Sequence, residues 1–257
     1  VAVTASGRAP VAYADAAEFQ KLSRELDARI KSHVNDPSRT VSFRPAAGTT
    51  WWLDRAFNGK YLGKSGGYLP WRNFDEGYFD PRAYAGVSTA AFLEISGKHA
   101  VCSRCRHIMC TRSAKVEGKP YAAAGVRPEF ETIALWINCC ITDRDAIFYM
   151  NHLCNDLGID TMTAGSVVSG AMELAEKGYL RKHGKAPAFG SAVDMIRTLR
   201  SIAHRRDDLG ILLGEYSDRV IAELSSGFPP ADTPEIARCV TTAFGGLGYA
   251  GIEPKSF

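Results

Sequence analysis

Apolar residues recur every three or four positions along much of this chain, beginning with Phe19, Leu22, Leu26, Ile30 and Val34. That spacing puts five side chains on one face of a helix. Asp15-Ala16-Ala17-Glu18 opens it as a capping box, and Pro37 closes it. The apolar face is read as packing, and Lys21, Arg24, Arg29 and Lys31 as solvated surface. Residues 37 to 87 lose the periodicity and become a glycine- and aromatic-rich loop passage holding Leu69-Pro70-Trp71-Arg72-Asn73-Phe74 and Glu76-Gly77. A connection of that length is disordered or functional, and its aromatic content argues against disorder.

A short helix is predicted from Ser88 to Ile95, and a small-residue connection from Tyr121 to Arg127. Pro128-Glu129-Phe130-Glu131-Thr132 then opens an apolar run, Ile133 to Ile141. Helical periodicity returns after Asp143 (Ile147, Met150, Leu153, Leu157) and breaks at Gly158. It resumes behind Asp160-Thr161 through Val167, Val168, Met172 and Leu174 to Gly178. Two more amphipathic helices fit 191–206 and 209–226. Strand-like alternation is not sustained anywhere, and no internal repeat occurs. The fold class is therefore mainly α, a multi-helix domain with long irregular loops. It forms a single helical region, 1–257, divisible into 1–127 (helix, aromatic and glycine loop, cysteine cluster) and 128–257.

Composition narrows the setting. With 46% hydrophobic and 23% charged residues over 257 positions, the chain can bury a substantial core. A formal net charge of +3 gives no basic footprint for nucleic acid. No apolar run is long enough to span a bilayer, so no membrane partner is expected. Seven cysteines without a signal-peptide pattern point to reduced thiols and a cytoplasmic location. Valine at position 1 and the stretch after Ala243 suggest a processed, split or truncated polypeptide.

Cysteine chemistry concentrates in Cys102-Ser103-Arg104-Cys105-Arg106-His107-Ile108-Met109-Cys110. Three thiols in nine residues can converge on one centre, and thiolate suits both iron–sulfur clusters and structural zinc. The alternative is a group of reduced cysteines serving as small apolar residues. Cys139, Cys140 and Cys154 are read as packed residues, and His107 and His152 as surface or supporting groups. Asp160 by itself reads equally as a helix N-cap and as an acceptor for a ligand's N–H groups. A Pro-Glu-x-Glu start likewise suits any helix N-terminus.

Three segments taken together resemble the tungsten-pterin aldehyde ferredoxin oxidoreductase family. They are Leu69 to Phe74 with Glu76-Gly77; the cysteine cluster followed by Arg127-Pro128-Glu129-Phe130-Glu131-Thr132; and Asn151-His152-Leu153-Cys154-Asn155-Asp156-Leu157-Gly158-Ile159-Asp160-Thr161 with Gly165 and Met172-Glu173-Leu174. The resemblance covers roughly residues 15 to 226, the helical middle of that family. It implies that Cys102, Cys105 and Cys110 ligate a [4Fe–4S] cluster beside a tungsten (or molybdenum) bis-pterin. Asn155, Gly158, Ile159, Asp160 and Thr161 then match a pterin-holding motif, with asparagine in its first place. Glu129 or Glu131 matches a glutamate beside the metal and would move protons. Arg72 and Asn73 are candidates to face the cofactor or to anchor their loop.

The chain departs from the family in four places. The second cysteine gap is one residue longer, and the second pterin motif, the late histidine and the N-terminal β-rich domain are not found. Cys239, in Ile236-Ala237-Arg238-Cys239-Val240, is the residue left to stand in as a fourth cluster ligand. The implied function is a component of an aldehyde-oxidising enzyme that passes electrons to ferredoxin, with a further polypeptide or missing segment completing the pterin site. A non-catalytic helical module holding iron–sulfur or zinc for relay or assembly is the alternative, followed by a metal-free helical domain.

Overall fold

The apolar run predicted around 133–141 becomes the centre of the molecule. In the computed structural model, which describes residues 12–34, 47–58, 69–76, 80–100 and 111–240, helix α5 (Phe130–Ile137) is buried on nearly every side. A helix apolar all round must be enclosed, and here several elements enclose it. They include α2 (Trp51–Asn58), α4 (Thr89–Glu94), α6 (Arg144–Leu157), α7 (Thr161–Glu176) and α8 (Ala192–His204). Gly165 lets α7 approach closely, since a Cβ there would stand 2.7 Å from that of Leu135. Trp136, Phe92, Leu53, Ile147 and Met150 fill the resulting core.

A second apolar cluster lies toward the C-terminal half of α7. Ala171, Leu174 and Leu180 meet α9 (Asp208–Leu213), α10 (Ser217–Ser226) and α11 (Thr233–Cys239) through Leu209, Leu213, Val220, Leu224 and Ile236. Helix α7 therefore serves both cores.

The helix boundaries follow from local chemistry. Asp143 caps α6 by accepting from the backbone N–H groups of Asp145 (2.9 Å) and Ala146 (3.2 Å). Gly158 ends α6 at φ 70°, while the N–H of Ile159 donates to the Cys154 carbonyl at 2.9 Å. Asp15 caps α1 (Ala16–Val34) by accepting from the N–H of Glu18 at 2.9 Å.

Four expectations are corrected. Strands do form: β1 (Ser96–Ala100), β2 (Thr111–Val116) and β3 (Ala123–Val126) make a small antiparallel sheet in the order β1-β2-β3. Alternation over four to six residues was too short to see. Tertiary support decides it, with Ala114 and Val116 packing against Phe148 of α6. The predicted connection 121–127 thus contains β3. The loop passage holds α2 and α3 (Pro81–Ala85). The single helix expected over 209–226 is two, α9 and α10, parted at Gly214. The apolar face of α1 is not buried: Phe19, Leu22 and Leu26 are 40%, 53% and 59% exposed.

The segment 101–110 falls between β1 and β2 in sequence, and Cys102, Arg104, Cys105, Arg106, His107 and Cys110 lie outside the described residues. Among the described residues, no helix is long and apolar enough to cross a membrane.

A candidate cofactor cavity

Residues from three separate segments meet in one cavity of about 890 Å³. The end of β3 and the start of α5 bring Arg127, Glu129, Glu131 and Thr132. Helix α6 brings Asn151, His152 and Asn155, and Asp160 and Thr161 come from the start of α7. The volume lies within the range of small-ligand and cofactor sites. Asn151 ties two of the walls together, its Nδ2 donating to the Val126 carbonyl at 3.0 Å.

Asp160 caps α7, with Oδ2 accepting from the Thr163 N–H at 2.7 Å. Its other oxygen has no hydrogen bond among the described residues. One carboxylate can thus hold the helix and still offer an acceptor to the cavity. The Thr161 and Thr132 hydroxyls lie 2.8 Å apart and link α7 to α5. Asn155 spends its amide on the Asn151 carbonyl at 2.9 Å, which leaves its side-chain oxygen as an acceptor. Gly158 and Ile159 form the turn that hands the chain from α6 to α7, and neither lines the cavity. A site rich in acceptors suits a flat heterocycle rich in N–H groups, as a pterin is.

Glu129 sits at the N-cap of α5, half-buried and without a capping hydrogen bond of its own. Burial is the largest influence on its carboxyl and raises its pKa, reinforced by the charge of Glu131. A hydrogen bond to Thr49 and the guanidinium of Arg127 act in the opposite sense. Arg127 is itself fully buried. It donates to the Ala47 carbonyl at 2.6 Å and to Ser96 Oγ at 3.2 Å, and burial pulls its pKa down to about 10. Sequence reading passed over Arg127 as part of a motif. The signal was an arginine directly before the Pro-Glu helix start. His152, expected as a surface or supporting group, is half-buried in the cavity wall.

Arg72 and Asn73 are placed elsewhere, near the other end of α7. Arg72, Asn73 and Phe74 occupy three successive left-handed conformations, φ 52°, 54° and 63°. Such a run of residues with Cβ atoms costs roughly 1–2 kcal/mol each. A buried network holds it. Asn73 Nδ2 donates to Glu173 Oε2 and to the Cys239 carbonyl, both at 2.7 Å. Ser169 Oγ donates to Asn73 Oδ1 at 2.9 Å, and Asn138 Oδ1 accepts from the Phe74 N–H at 2.7 Å. Arg72 pairs with Glu176 at 2.7 Å.

Glu173, Glu235 and Cys239 come close enough together to hold a metal ion. Their carboxylates are already matched, however, by Arg238, 3.0 Å from Glu173, and by Lys177, which pairs with Glu235. Cys239 is thus packed in this network, at the end of α7 remote from Asp160. Cys139 and Cys154 are fully buried and Cys140 half-buried; burial raises all three thiols, which marks packed residues and not reactive ones.

The family model for aldehyde ferredoxin oxidoreductase, domains 2 and 3, matches residues 26–240. The chain belongs to the aldehyde ferredoxin oxidoreductase family. Among its relatives is the tungsten-containing aldehyde ferredoxin oxidoreductase of Thermococcus kodakarensis, 34% identical over 224 residues, or 85% of this chain and 34% of that protein. The protein of the same name from Pyrococcus furiosus is 30% identical over 224 residues with the same coverage. That from Pyrococcus abyssi is 28% identical over 233 residues, 88% of this chain and 35% of the relative. The chain therefore spans about a third of the length of the curated relatives it matches.

Proposed function

We propose that this chain forms the helical side of a pterin site in an aldehyde-oxidising enzyme. The observation that carries the reading is the cavity, where Glu129, Glu131, Asn155, Asp160 and Thr161 converge from distant parts of the sequence. Asp160, Asn155 and Thr161 would accept from and position the edge of the pterin, while Gly158 and Ile159 set the turn that aims them. Membership of a family with tungsten-containing relatives supports the choice of cofactor.

When bound, a tungsten (or molybdenum) bis-pterin would supply the two-electron oxidation of an aldehyde to a carboxylic acid, and Cys102, Cys105 and Cys110 would hold a [4Fe–4S] cluster as the electron outlet toward ferredoxin. Converting an aldehyde and water to an acid releases two protons. Glu129 is suited to take one: its raised pKa brings the carboxylate closer in basicity to neutral pH. Glu131 adds negative charge beside it, and Arg127 limits how far the shift proceeds. Arg72 and Asn73 anchor their loop in this reading. A further polypeptide or segment, carrying the second pterin contact, would close the open side against water.

Metal and pterin analysis of anaerobically purified protein, alone and with a co-expressed N-terminal domain of a relative, tests the proposal. Tungsten or molybdenum with pterin and iron is expected in the complex, and Cys105→Ser should lose iron. Iron or zinc alone in both preparations would overturn the catalytic reading in favour of a relay or assembly module. No stoichiometric metal in either would leave a helical domain whose cysteines only pack.

A further inference from the structure

A second cleft, sharing no lining residue with the cofactor cavity, opens between α8 and the Pro120–Tyr121 turn and encloses about 490 Å³. Its polar lining is unusual in sign. Arg197, Arg200 and Arg206 face it, against the single carboxylate of Asp207. Arg197 and Arg200, three residues apart, share one face of α8, and Arg206 follows the left-handed turn at Arg205 (φ 50°) that ends the helix.

The balancing charges are spoken for. Asp207 Oδ1 accepts from Ser201 Oγ at 2.6 Å and from the Gly210 N–H at 2.7 Å, so it is held as the cap of α9. Arg197 is fixed by Asp194 at 3.1 Å and by the Lys185 carbonyl at 3.0 Å. Among the described residues, Arg200 donates only to a neutral acceptor, the Tyr149 hydroxyl at 2.9 Å. Among the described residues, neither Arg200 nor Arg206 has a carboxylate within ion-pair distance. Two of the carbonyls ending α8, which would repel an anion, are occupied: Ile202 accepts from the Arg205 N–H and Ser201 from that of Arg206.

The other wall is aromatic and apolar. The Tyr121 and Tyr149 rings lie 6.0 Å apart, and Val193, 71% exposed, stands with Ile196 beside them. Guanidinium groups bind phosphate through paired N–H donors. Arg200 and Arg206, the two cleft arginines with no carboxylate partner among the described residues, match a phosphate dianion, and the ring-lined wall accommodates a carbon skeleton.

We infer that this cleft binds a small phosphate ester bearing an aromatic or heterocyclic group, its phosphate on Arg200 and Arg206 and its ring against Tyr121 and Tyr149. The full chain is titrated calorimetrically with AMP, phenyl phosphate, inorganic phosphate and adenosine. AMP is expected to bind, inorganic phosphate about 10-fold more weakly for want of the ring, and adenosine more weakly still. Arg200→Gln and Arg206→Gln should each weaken AMP about 10-fold, whereas Arg219→Gln, outside the cleft, should not. Unchanged melting of the variants separates a lost contact from a lost fold. AMP and phenyl phosphate binding alike would mark a site for aryl phosphates in general, and AMP alone a nucleotide site. No binding of either ester at millimolar concentration, equal binding of AMP and adenosine, or unaltered affinity in both cleft variants would overturn the inference.

Discussion

The two ends of α7 carry similar residue types and put them to different use. Toward its C-terminus, Glu173, Ser169 and the Asn73 side chain are buried and saturated with protein partners. At its N-terminus, Asp160 and its neighbours line open space, with acceptors left over. Buried polar groups that find every partner in the chain specify a structure; those that leave acceptors facing a cavity are equipped for something else. The difference explains why Arg72-Asn73-Phe74 tolerates three left-handed residues. Strain of that kind persists where the surroundings over-determine the backbone, and the network with Asn138, Ser169 and Glu173 does so.

The sharpest way to break this comparison is at the saturated end. Asn73→Ala strips Glu173 and Ser169 of a partner and puts a methyl side chain at φ 54°. Urea unfolding should show a loss of about 3 kcal/mol, with no ligand able to restore it. At the open end, Asp160→Ala should cost about 1 kcal/mol through the lost cap. Asp160→Ser keeps a capping oxygen and should recover most of that in thermal melts. Pterin content should fall in both variants. If Asp160→Ser retains full cofactor, the cavity end is structural after all.

Glu129→Gln is expected to have a smaller effect, visible chiefly in its pH dependence. Burial raises the folded-state pKa above the unfolded value. The folded protein therefore binds the proton more tightly, and stability declines as pH rises from the unfolded pKa through the folded one. Glutamine removes that decline, so the variant should melt higher than the parent at neutral pH and show a flatter profile across the acidic range. The smallest effect belongs to Arg72→Gln. Its pair with Glu176 is largely exposed, 38% and 51% for the two side chains, and should contribute about 0.5 kcal/mol or less, shrinking further in salt.

Much of the helical framework was legible in advance. Asp143, Gly158, Asp160 and Gly178 punctuate the chain where α6 and α7 start and stop, because caps and left-handed turns are local chemistry. The strands were not legible: the four residues of β3 owe their conformation to pairing with β2, Ser113 opposite Val126 and Val116 opposite Ala123. Arg127 was only one letter of a motif until its carbonyl and hydroxyl partners from positions 47 and 96 came into place. His152 likewise gained a cavity from segments it cannot see along the chain. The apolar stripe of α1 shows the converse, a pattern that predicts the helix correctly yet says nothing about what covers it.

By itself, the order of residues determined where α6 and α7 begin and end, that the chain is mainly α, and which family it resembles. Those properties depend on neighbours within a turn or two, or on short motifs in register. Only the tertiary structure decided that Asn73 belongs to a sealed network while Asp160 faces a cavity. Burial and unspent hydrogen-bonding capacity are set by segments dozens of residues away, and spacing along the chain does not encode them.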